Sequence, residues 1–205
     1  MKTKGVYYLS LLMLPLLGLS QVQLKSDNKD LLNFVDKHLA QFHQPLSAID
    51  SVAGFRSKEN PIKLYGTVYK HDGTPAAGVT LMISQADENG QFELIGEKGD
   101  RLVYHNAAVT TDSNGQYEIY TFIPGYDRQY NQMQQVYPVI VDSDGHISEM
   151  ASVLFEGDPL LTKRCRRRLA KANQLDRITN PKYNKETKLL EVQKNIVLEE
   201  TESDS

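Results

Sequence analysis

Cysteine is nearly absent from this 205-residue chain: Cys165 stands alone, so no intramolecular disulfide can form. A single thiol with no histidine beside it reads as a structural residue rather than a nucleophile. Long apolar runs are equally scarce. The one that exists, Val6 to Leu17, follows Lys2 and Lys4 and precedes Gly18-Leu19-Ser20. It is too short to span a bilayer, and its flanks are those of a secretory signal peptide covering residues 1–20. No cysteine follows the expected cleavage point, which argues against a lipid anchor. Loss of Lys2 and Lys4 takes the formal charge from −3 to −5. The expected product is a mildly acidic protein, secreted or periplasmic and soluble. Generic catalytic signatures are missing too: no G-x-S-x-G elbow, no H-E-x-x-H, no C-x-x-C pair and no phosphate-binding glycine loop. The absence of βαβ alternation argues against a Rossmann-like sheet.

What is present is an ordinary globular composition, 40% apolar and 24% charged. The length suits one domain of about 100–150 residues with appendages. Leu31, Leu32, Val35, Leu39 and Phe42 recur at helical spacing behind Asp27-Asn28, predicting an amphipathic helix over 28–43. His38 and His43 near its end are expected to be solvated. Residues 44–61 mix Pro, Ser, Gly and charge without periodicity and read as a linker, so 21–61 is helix plus linker. From Ile62 the pattern changes to short strands. Ile62, Leu64, Gly66 and Val68 alternate with polar or half-exposed positions; Val79, Leu81 and Ile83 follow, then Phe92 and Leu94, Leu102 to Val109, Gln116 to Thr121, Val139 to Val141 and Met150 to Phe155. Turns rich in Gly, Asn and Asp separate them, with Asn114-Gly115 expected to supply the positive φ angles of a two-residue hairpin. The pattern predicts an all-β fold, an antiparallel β-sandwich over 62–162 with an N-terminal amphipathic helix and a short C-terminal helix.

Six of the nine residues in KRCRRRLAK (163–171) are basic. In an exported acidic protein this predicts a solvated helix pairing with acidic groups or an anionic surface, not a nucleic-acid site. Leu190, Val192, Ile196 and Leu198 suggest one terminal strand, and Glu199 to Ser205 an acidic tail. Asp142 and Asp144 lie in a turn that lacks the further oxygen ligands and closing Glu of a calcium loop.

Three segments resemble the intradiol ring-cleavage dioxygenase family: LYGTVYKHDGTPAAGVTLMISQADENGQFEL (64–94), VTTDSNGQYEIYTFIPG (109–125) and LFEGDPLL (154–161). They follow the family order "Q-A-x-x-x-G", "T-D-x-x-G-x-Y-x-[FY]-x-T-x-x-P-G" and "F-x-x-D-P", with Ile119 at the [FY] position. The resemblance covers about half the chain and implies the same β-sandwich that alternation predicts.

It also implies chemistry at a non-haem Fe(III) held by two tyrosines and two histidines, with a catechol-like aromatic diol as substrate. Phenolate oxygens suit a hard trivalent ion, and imidazoles complete its shell. The family's first tyrosine follows the Q-A-x-x-x-G turn, where this chain has Phe92. The second follows Pro-Gly, where this chain has Asp127 with Tyr126 one residue early. Gln135 and Tyr137 stand where the His-x-His pair belongs, and no histidine lies between His105 and His146. His105 itself is expected at the surface. The expectation is a degenerate iron site in a protein acting as a binding or accessory module, with an aromatic small molecule as its possible partner. One rival is an Fe(III) dioxygenase with a divergent ligand set of Tyr126, Asp127 and Tyr137, which with Tyr130 would form an oxygen-rich pocket. The other is a structural or protein-interaction sandwich without a pocket.

Overall fold

The computed structural model describes residues 28–42, 44–97 and 101–199. The expected signal peptide, Asp27, His43 and the acidic tail beyond Glu199 lie outside them. In chain order the elements are α1 (Lys29–Leu39), β1 (Ile49–Ser51), β2 (Pro61–Tyr69), β3 (Thr80–Gln85), β4 (Leu94–Ile95), β5 (Leu102–Val103), β6 (Asn106–Thr110), β7 (Gln116–Phe122) and β8 (Gln135–Val141). There follow β9 (Ile147–Glu149), β10 (Val153–Phe155), α2 (Lys163–Lys171), β11 (Ile178–Thr179), β12 (Lys182–Asn184), β13 (Leu189–Gln193) and β14 (Ile196–Val197). Among the described residues no helix is long and apolar enough to cross a membrane.

Period-two alternation builds two six-stranded sheets. The first runs β1-β7-β2-β13-β12 with β14 also on β2; the second runs β11-β10-β8-β3-β6 with β9 also on β8. Along β2, Ile62, Leu64, Gly66 and Val68 are buried and the residues between them are half-buried. The inward faces meet in one apolar core: Ile62, Leu64, Ile119 and Phe122 from the first sheet pack with Leu81, Ile83, Val109 and Phe155 from the second. Full burial of each such side chain contributes roughly 1.5–3 kcal/mol, which is what holds the two layers together.

All pairings among the strands of 62–162 are antiparallel, as predicted. The parallel ones come from the flanks: β1 on β7, β11 on β10, and β13 and β14 on β2. Residues 44–61, expected as a linker, therefore supply a strand. The predicted terminal strand is two, because Lys194-Asn195 interrupts the pairing with β2. Leu102 to Val109 is likewise two strands, broken at Tyr104-His105. Phe92 precedes β4 instead of lying in a strand. In the turn before β7 only Gly115 takes positive φ, at 71°. The Asp112 carboxylate accepts from the backbone N–H groups of Asn114 and Gln116, which fixes a longer turn than the two-residue one expected.

Helix α1 starts at Asn28, whose side-chain oxygen accepts from the N–H groups of Asp30 and Leu31. Its apolar stripe, Leu31 and Val35, covers Met82, Ala108, Val139, Val141 and Ile147 on the outer face of the second sheet. His38, expected in solvent, is buried there because it lies on that same stripe: its ring stacks on Phe34 at 3.9 Å and Nδ1–H donates to the Phe34 carbonyl. Helix α2 has no buried residue and is solvated as expected, with Arg166 paired to Glu156 at 2.8 Å.

Candidate functional site

The outer face of the second sheet is covered by α1 only in part. Beyond the helix, Ser84 on β3 lies opposite Tyr137 on β8, in register with Met82 and Val139 under the helix. Side chains two apart share a face, so Gln135, Tyr137 and Val139 all point outward. A cavity of about 480 Å³ opens there, walled by Leu31, Phe34, Ser84, Phe92, Tyr137 and Val139. The Phe92 and Tyr137 rings sit 5.8 Å apart at 50°.

Tyr137, on the cavity wall, ends a row of polar groups that bond to one another. Gln135 Nε2 donates to the Tyr137 hydroxyl at 2.6 Å, and Gln135 Oε1 accepts from Ser152 Oγ at 2.8 Å. Ser152 Oγ accepts from Arg177 Nη2 at 2.7 Å, while Arg177 Nε donates to the Ser152 carbonyl. Both ends of the Gln135 amide are thus engaged. Burial pushes the Tyr137 phenol up, against the downward pull of the Gln135 hydrogen bond.

The loop after β7 stands in a different setting. Asp127 caps its own turn, accepting from the N–H groups of Gln129 and Tyr130 and from Gln91 Nε2 at 2.6 Å. Desolvation opposes ionisation, but the Gln91 and backbone hydrogen bonds outweigh it and hold this carboxyl below its usual range. Tyr126 carries the Arg128 guanidinium over its ring at 5.6 Å, and Tyr130 is 72% exposed. Among the described residues no hydrogen bond or ring contact joins Tyr126 or Asp127 to Tyr137.

The motif residues have a structural explanation. Gln85, fully buried, crosses between the sheets: Nε2 donates to the Phe122 carbonyl and Oε1 accepts from Thr121 Oγ1 at 2.7 Å. Gly90 lies against the Tyr126 backbone, where an added Cβ would come within 2.7 Å of a carbonyl carbon, and Gly125 lies as closely against Glu88. Thr111 donates to the Ala76 carbonyl and accepts from Val79 N–H. Asp158 accepts from the N–H groups of Gln134 and Leu160. These residues make the frame; at the positions where the resemblance expects ligands, other groups stand. Phe92 has no donor atom, Gln135 is a neutral amide already bonded at both ends, and Asp127 is engaged in its turn. This donor set does not fit the Tyr/Tyr/His/His coordination of Fe(III).

His105, expected at the surface, is 2% exposed. Its break between β5 and β6 turns the ring inward, edge-on to Phe122 at 5.0 Å and beside Tyr104. Neither ring nitrogen has a hydrogen-bond partner among the described residues, and Glu93 Oε2 is 3.8 Å from Nε2. Burial, then the charge of Lys58, pushes this imidazole down. Asp142, Asp144 and His146 gather within 4.8 Å, but Asp142 Oδ1 accepts from the N–H groups of both others as a hairpin turn requires. Ser152 and Arg177 were not evident from the sequence, because no periodicity or motif ties residue 177 to β8.

No family model matches the chain, and no curated protein does. Solved structures do. The dioxygenase domain of a dioxygenase carbohydrate-binding protein fusion from a cellulolytic Streptomyces superposes with a TM-score of 0.57 at 18% identity, over 77% of this chain and 92% of that one. An intradiol ring-cleavage dioxygenase from Tetranychus urticae gives 0.55 at 14% identity, over 76% and 89%. Catechol 1,2-dioxygenase from an Acinetobacter, inhibited by bound mercury, gives 0.55 at 17%, over 74% of this chain but 57% of that one. The chain therefore has the fold of the intradiol ring-cleavage dioxygenases.

Proposed function

We propose that this protein keeps the dioxygenase frame with a degenerate iron site and works as a binding or accessory module for an aromatic small molecule. The single observation that carries the reading is the closed row Arg177–Ser152–Gln135–Tyr137. In it, Gln135 and Tyr137 stand where the resemblance expects the His-x-His pair, and Tyr137 meets Phe92, where the resemblance expects a ligating tyrosine. The cavity beside it falls in the size range of small-molecule sites, and its mixture of rings with a few polar groups is the usual make-up of such sites. The first twenty residues support export of the protein to the periplasm or beyond.

The experiment is a calorimetric titration of 4-ethylphenol, a neutral aromatic, into protein kept metal-free with chelator. The expected result is binding that weakens when Phe92→Ala removes one wall. Absence of binding would overturn the proposal in favour of a structural or protein-interaction sandwich, and turnover of catechol by the iron-loaded protein that Tyr126→Phe and Tyr137→Phe abolish would overturn it in favour of the divergent Fe(III) ligand set.

A further inference from the structure

We propose that the cavity between α1 and the second sheet selects an aromatic amine, a ring carrying an ammonium arm. The inference rests on the reading that this cavity takes an aromatic molecule, and it adds the ligand's charge. Three rings wall the cavity, Phe34, Phe92 and Tyr137. Ring faces attract organic cations through their quadrupoles. Two carboxylates line the same space, Asp30 and Glu149, and among the described residues no Lys, Arg or His does.

An acidic residue in the first turn of a helix is common, because it complements the helix dipole. Asp30 by itself therefore says nothing about a ligand. Glu149 comes from the end of β9, a separate element, and among the described residues neither carboxylate has an ion-pair partner. No third His, Cys, Asp or Glu joins the two, since the only such group among the described residues is Asp142, Asp144 and His146. A metal ion would be left under-coordinated there. An organic cation needs no such shell: its body meets the rings and its charge meets the carboxylates. An aromatic carboxylate would meet repulsion instead.

The test compares tyramine with 4-ethylphenol, which have the same phenol ring and differ by the ammonium group, titrated calorimetrically into the full chain at low ionic strength. Tyramine is expected to bind about tenfold more tightly. In the double variant D30N/E149Q the preference should collapse toward unity with 4-ethylphenol affinity unchanged, which also shows that the variant is folded. Equal affinities in the native protein, or a preference that survives the double substitution, would overturn the inference while leaving aromatic binding intact. Failure of both ligands to bind would remove both readings.

Discussion

The two faces of the second sheet make unlike use of the same strands. Inward, Leu81, Ile83, Val109, Val136, Ile140 and Phe155 form an apolar layer against the first sheet, interrupted by the buried Gln85 amide. Outward, Met82, Val139 and Val141 are covered by α1, after which Ser84 and Tyr137 line a cavity and Gln135 bonds Tyr137 beside it. Gln85, Gly90, Thr111, Gly125 and Asp158, which lie in the segments that resemble the dioxygenases, hold the frame together, whereas Gln135 and Tyr137, where the resemblance expects a histidine pair, point outward. Frame and chemistry are thus separable along a single strand such as β8, where alternate residues belong to one or the other.

That contrast can be broken by mutation. Phe122→Ala opens the fully buried inner core and should cost about 3–5 kcal/mol in chemical denaturation, the largest effect expected. Leu31→Ala acts on the outer face, at the margin of α1, and should cost about 2 kcal/mol, the low end of such truncations. Equal costs would mean that α1 belongs to the core as fully as the sandwich does. Gln85→Leu strands the Thr121 hydroxyl and the Phe122 carbonyl in the interior and should cost about 1–3 kcal/mol. Tyr137→Phe loses one hydrogen bond in a half-buried row, and about 1 kcal/mol or less should follow in the same denaturation series.

The smallest effect is a dependence on pH. Burial pushes both His38 and His105 below the ordinary histidine value of 6.5. The unfolded chain then binds protons before the folded one does. Stability is fully present above about pH 6.5 and is lost as the pH falls through that value toward the lowered folded values. Thermal melts across this range should show the decline, and His105→Leu should flatten it. A slope unchanged by that substitution would place the sensitivity elsewhere.

The sandwich was legible because alternation and turn residues are local signals, strong in Pro61–Tyr69 and Gln116–Phe122. The flanking strands were less so: β1 has three residues, only one of them a buried-type aliphatic, and it exists because β7 offers an edge. The two buried histidines ran against expectation for opposite reasons. His38 follows the helical stripe of Leu31 and Val35, a signal that was present, whereas His105 is turned inward by a strand break with no sequence marker. At the site, Phe92, Gln135 and Tyr137 were singled out by their positions relative to the resembling segments, and the fold brings them together, Phe92 and Tyr137 at one cavity and Gln135 bonded to Tyr137. The partners that close the row, Ser152 and Arg177, come from segments 17 and 42 residues beyond Gln135 and meet it only through the fold.

The most direct test is metal analysis with a visible absorption spectrum of the folded protein after Fe(III) loading. The predicted result is a folded, colourless protein without stoichiometric iron. Stoichiometric iron with a tyrosinate-to-Fe(III) charge-transfer band would contradict the account and direct attention to Tyr126 and Tyr137 as ligands.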